Sequence, residues 1–174
     1  MSFIEHTHAW VRGEGVDMAV LCGVGLLLLL VAGGLWRFVA TPLGQALVIP
    51  ISLIALLFLG VGVFGVVSTP AKLAQFSAAF ELDPSGFVQS EQERVAGFEA
   101  LYLYTLIGAA IGFALALGIF WQTQSVTWRA IGIALVVLGL AALVIDGFSK
   151  ERATVYQAEI DKALSSPAAD RSQQ

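Results

Sequence analysis

The chain has 174 residues, 57% of them hydrophobic and 13% charged, with a formal net charge of −4 at pH 7. Soluble domains carry about 45–50% apolar and about 25% charged residues, so this excess is too large for one core to hide and has to face lipid. The acidic balance offers no basic stripe to track phosphates, which argues against nucleic acid as a partner. The single cysteine, Cys22, excludes an internal disulfide or a C-x-x-C redox pair.

In chain order, residues 1–15 read as a polar leader, with Arg12 set against Glu5 and Glu14. That is not the basic n-region of a secretory signal, so the apolar run 16–36 is read as a span. Thr41-Pro42 marks a turn, because the residue before proline avoids the helical region. A second run covers about 44–67, with Pro50 inside it. Ser68-Thr69-Pro70 has the form of a cap followed by an N1 proline. It predicts a separate surface helix at 70–81, with Leu73, Phe76 and Phe80 turned to the membrane.

Asp83-Pro84 repeats the signal and opens a helical extension, 84–99, in which Phe87, Val88, Glu91, Val95 and Phe98 keep one register. It leads into a third run at about 100–121. A short connection precedes the fourth run, about 130–148, and an extension at 149–164 follows. Residues 165–174 are predicted to be disordered.

Each run approaches the ~20 residues that a helix needs to cross ~30 Å of hydrocarbon. Lipid leaves helices as the way to pair the backbone of such unalternating runs. Trp10, Trp36, Trp121 and Trp128 fall near the run edges, where indoles prefer the headgroup layer. The expected fold is an all-α membrane protein, with four transmembrane helices as two parallel-related helical hairpins. Amphipathic helical extensions lie on the side of the termini.

The parallel relation comes from an internal likeness. At one common offset Glu14 aligns with Glu99, Gly23 with Gly108, Gly33 with Gly118 and Trp36 with Trp121. A duplicated two-span unit returns the chain to its starting side, so its copies run parallel about an axis normal to the membrane. Basic residues favour the side of the termini: Arg12, Lys72, Arg94, Lys150, Arg152, Lys162 and Arg171 against Arg37 and Arg129. The positive-inside rule then predicts a multi-pass protein of a bacterial inner membrane with both termini cytoplasmic.

Candidate functional residues are few. Asp17, Glu99 and Asp146 stand at the same ends of spans one, three and four, with Tyr102 one turn inside Glu99. Carboxylates at membrane depth often mark ion or proton paths, and the same group could meet a partner. The competing reading is structural: Asp17 complements a helix dipole, and Asp146 has Lys150 four residues on as an ion-pair partner.

His6 and His8 are the only histidines, too few for an ordinary zinc site, and no span holds an axial ligand for haem. No metal site or cofactor is expected. Gly108 and Gly112 form a G-x-x-x-G that suits helix packing or a homodimer face. Without a catalytic motif, an enzyme is not expected.

Two functions remain. One is an accessory or interaction subunit of a membrane assembly, docking through the apolar stripe Tyr156, Ile160 and Leu164. The other is a small transporter or channel built from the duplicated two-helix unit, as a homodimer where one unit is too few.

Overall fold

The computed structural model describes residues 2–165, without the side chains of residues 98–100. The tail expected to be disordered therefore lies outside the described residues from position 166 on. Among the described residues there are four helices and no strand: α1 (Phe3–Phe38), α2 (Pro42–Leu82), α3 (Pro84–Gln122) and α4 (Val126–Ser165). Each contains a stretch long and apolar enough to cross a bilayer, which marks a multi-pass membrane protein. With 36 residues in α1 and 41 in α2, the helices are roughly 54–62 Å long, about twice the hydrocarbon thickness.

The leader is the first correction. It is not a polar tail but the first three turns of α1. The Glu5 carboxylate accepts the Ser2 N–H at 2.7 Å, the reciprocal arm of a capping box. Phe3, Thr7, Trp10 and Val11, at helical spacing, are buried.

The second correction concerns residues 70–81, which form no separate surface helix. α2 runs unbroken through Pro70. An interior proline removes one backbone bond and costs about 3 kcal/mol. The Ser68 and Thr69 hydroxyls donate to the Gly65 carbonyl at 3.0 and 2.9 Å, holding the turn before it. Leu73, Phe76 and Phe80 then pack against a buried core, and such side chains give about 1.5–3 kcal/mol each when fully buried. Tertiary burial outweighs the local stop.

Where the helix does break, the turn is one residue long. Asp83 is extended and serves both helices. Its N–H donates to the Ala79 carbonyl at 3.1 Å, and its carboxylate accepts the Gly86 N–H at 3.0 Å. Pro84 forces Asp83 out of the helical region. A side chain at Gly86 would press on the Asp83 carboxylate, which would have to shift to keep its cap. At the opposite end, Thr41 accepts the Gly44 N–H at 3.2 Å and opens α2. Arg129 Nε donates to the Thr123 carbonyl at 3.2 Å in the α3–α4 turn.

Two cores follow from this layout. The apolar half is packed by Leu21 and Ala32 of α1, Ile51, Ile54 and Phe58 of α2, and Ala134 of α4. Here α1 and α2 approach closely: a Cβ at Gly62 would stand 2.7 Å from the Met18 carbonyl oxygen. α3 contributes no side chain to this core and rests chiefly on α4. Its Phe113 and Phe120 rings occupy the space above Gly139 and Gly132. In the polar half all four helices converge around Phe3, Trp10, Val11, Phe87, Val88, Val95, Tyr156 and Ile160.

Candidate functional site

The polar-half core is built from aromatic rings around a charged centre. The Phe3 ring lies 6.1 Å from Tyr156 and 6.1 Å from Phe80, and Trp10 stacks on Tyr156 at 5.3 Å. Trp10 is therefore a core residue and not a headgroup anchor. Its Nε1 donates to Glu14 Oε1 at 3.0 Å. Trp36, Trp121 and Trp128 remain exposed at the other end of the bundle.

Within this frame Glu91 is 2% exposed. Arg94, one turn on, donates to it through Nε at 2.9 Å and Nη2 at 2.6 Å. Tyr156 Oη donates to the same carboxylate at 2.8 Å. The carboxylate only accepts, so the phenolic proton points to Glu91, and Thr7 Oγ1, 2.9 Å away, is left to donate to Tyr156. Glu14 takes Arg94 Nη1 and Lys72 Nζ, each at 3.5 Å. The Arg94 guanidinium also lies 5.2 Å over the Phe76 ring. Two carboxylates thus balance two cations, and the cluster draws on every helix.

The electrostatics follow from burial. Burial works against the charge on Arg94, yet the hydrogen bonds and charge of Glu91, and then the charge of Glu14, outweigh it and raise its pKa. Burial, then the negative charge of Glu91, pushes the Tyr156 hydroxyl well above the phenol range. Tyr156 therefore holds its proton as a fixed donor. The cluster is a satisfied clamp suited to fixing four helices in register.

The residues predicted to act together are distributed differently. Asp17 of α1 forms an ion pair with Arg152 of α4, tying the two helices where the polar half begins. Tyr102 of α3 shares a 3.3 Å hydrogen bond with Ser149 of α4. The side chain of Glu99 lies outside the described residues. Asp146 does not pair with Lys150: its Oδ2 is buried and has no hydrogen-bond partner. Asp146 is one turn from Ser149 on α4, so it stands on the face that meets α3.

The docking stripe is another correction. Tyr156 and Ile160 are buried in the chain's own core, and Leu164 packs against it, so this stripe presents nothing to a partner. The two histidines part company: His6 faces Glu159 of α4 at 3.6 Å, and His8 Nε2 lies 2.9 Å from Ser77 Oγ of α2. Among the described residues no three His, Cys, Asp or Glu side chains converge in a way that could hold a metal.

Sequence reasoning missed the Glu91 cluster although one signal was present. Glu91 falls on the apolar stripe of Phe87, Val88 and Val95, with Arg94 three residues later. An acid on a buried stripe beside a cation at i+3 reads as an internal ion pair. The chain matches no family model, no curated protein and no solved structure.

Proposed function

We propose that this protein is an interaction subunit of a larger membrane assembly, docked through the apolar half of α3. The observation that carries the reading is the bareness of that half-helix. α3 gives no side chain to the apolar core, and a Cβ at Gly108 or Gly112 would meet nothing within 4 Å. Lipid chains place no premium on small residues, whereas a second helix does. The occupant is a transmembrane helix of a partner polypeptide. Docking moves to α3 because the Tyr156 stripe is used internally.

In this reading the helices span a bacterial inner membrane, with the polar half and both termini cytoplasmic. The support is the count of basic residues on that side. Single cysteines at Ser125 and Ser165, in a Cys22→Ser background, test the orientation. Labelling from outside intact cells at Ser125 alone is expected, and labelling at Ser165 reverses the assignment.

The function is tested by gentle extraction and mass determination of the intact particle, for the native chain and for Gly108→Leu/Gly112→Leu. The native particle should contain further polypeptides that the equally abundant double variant has lost. A single-chain mass for both would overturn the proposal.

A second reading, a small transporter or channel from a duplicated two-helix unit, is favoured by Asp146. A buried carboxylate oxygen without a partner near the end of a membrane helix is the kind of group an ion path uses. The matched glycines Gly23, Gly33, Gly108 and Gly118 also share one environment, open space with nothing within 4 Å. Under this reading a homodimer is extracted, and Asp146→Asn folds but abolishes ion flux in reconstituted vesicles. Unchanged flux eliminates it.

A further inference from the structure

A cavity of about 620 Å³ lies between α3 and α4, backed by Val95 and Ala153 of the polar-half core, with Tyr102, Leu103, Leu106, Lys150, Thr154 and Asp161 in its wall. We propose that it is a phospholipid site, in which Lys150 holds the headgroup phosphate and an acyl chain lies along Leu103 and Leu106.

The first argument is position. Leu103 and Leu106 belong to the apolar stretch of α3 and are each 55% exposed. Lys150 and Thr154 follow the apolar stretch of α4. A volume with one apolar and one polar wall lies at the boundary between hydrocarbon and water, where glycerol and phosphate reside. Its size falls within the roughly 300–1,000 Å³ of ordinary ligand sites, enough for a phosphoglycerol and the head of one chain.

The second argument is charge. Lys150 is exposed and forms no ion pair with any described carboxylate, Asp146 included. The one acid among the described residues of the cavity wall, Asp161, is eleven residues further along α4, roughly 16 Å away, too far to neutralise it. A lysine with no ion-pair partner among the described residues can turn its flexible stem along apolar surface and its ammonium toward an anion. The Tyr102 hydroxyl adds a second polar group beside it. The site requires only that the helices span a bilayer, so it stands independently of docking on α3.

Native mass spectrometry of the full chain in detergent tests it, with phosphatidylglycerol as the probe and diacylglycerol of matched chains as the phosphate-free control. One phosphatidylglycerol should be retained and the diacylglycerol not. Lys150→Ala should lower occupancy about tenfold, the loss of one charge-assisted hydrogen bond. Thr154→Trp, an exposed position in the wall, should do the same by filling the volume, while Lys162→Ala leaves occupancy unchanged. Equal occupancy in Lys150→Ala, or displacement of the lipid by inorganic phosphate at the same concentration, would overturn the proposal.

Discussion

Removing either member of the Glu91–Arg94 pair should destabilise the polar half more than removing both. Loss of one partner from a buried pair costs about 3–5 kcal/mol, because the other charge is stranded. In Glu91→Leu the stranded group is Arg94, whose side chain is 26% exposed and keeps Glu14 at 3.5 Å. The lower end, about 3 kcal/mol, applies. In Arg94→Leu the stranded group is a carboxylate at 2% exposure that retains the Tyr156 hydroxyl at 2.8 Å. That places it near the upper end, about 4 kcal/mol or more.

The double variant strands no charge. Tyr156 keeps Thr7, and Glu14 keeps Lys72 and Trp10. Its cost should be about 1–3 kcal/mol, the scale of one under-satisfied buried hydroxyl. The singles sum to about 7 kcal/mol, so the coupling should be about 4–6 kcal/mol, beyond the ~3 kcal/mol top of the usual range for residues in contact. Trp10 supplies the assay, since it stacks on Tyr156 within the affected core. With Trp36, Trp121 and Trp128 replaced by Phe, denaturant titration in mild micelles followed by its emission reports this half alone. Additivity within about 0.5 kcal/mol, the behaviour of independent sites, would refute the argument.

Other positions give sharper local contrasts. Gly62→Val should cost at least about 1–3 kcal/mol by overpacking, because its Cβ meets the Met18 carbonyl at 2.7 Å and the Cys22 amide at 2.8 Å, both backbone atoms. Gly23→Ala meets nothing within 4 Å and should be neutral or stabilising; melting in detergent compares the two. The Asp83 carboxyl is held below its ordinary value of 3.8 by the Gly86 amide, then the Ser85 hydroxyl. Its contribution is present above the carboxylate range and fades as pH falls through the lowered value. Protection of the first α3 amides, corrected for intrinsic exchange, should fall as pH drops through that lowered value in the native chain but not in Asp83→Asn, which caps without titrating. Reversing the α1–α4 ion pair as Asp17→Arg/Arg152→Asp should recover most of the melting temperature lost by Asp17→Arg alone, and no recovery would mean the two groups do not interact.

The four apolar stretches were legible because composition alone demands lipid. The Asp83-Pro84 break was legible because a cap and a restricted φ act locally. What failed was the same kind of signal at Ser68-Thr69-Pro70, where sequence cannot tell a helix start from an interior proline that tertiary contacts tolerate. The stripes at Phe76–Phe80 and Tyr156–Leu164 were found, but a stripe states only that a face needs covering. One was assigned to the membrane and the other to a partner, yet both belong to one internal core, in which the Phe3 ring lies against Phe80 and Tyr156 alike. Trp10 misled for a related reason, since an indole suits both a headgroup layer and a core with a carboxylate in reach.

The two halves are held by different forces, and this explains why α3 keeps its place with an open face. Between helices in lipid there is no hydrophobic drive, so the apolar half depends on close fit, as at Gly62 against Met18. In the polar half, water drives Phe3, Trp10, Phe87, Val88 and Tyr156 together. A continuous helix transmits that placement along its length. α3 is therefore positioned by Phe87, Val88, Glu91 and Val95 at one end, and its apolar half needs no more than its seat on α4. A helix fixed in this way at its polar end can leave Gly108 and Gly112 uncovered without loss of fold, as the proposed docking surface requires.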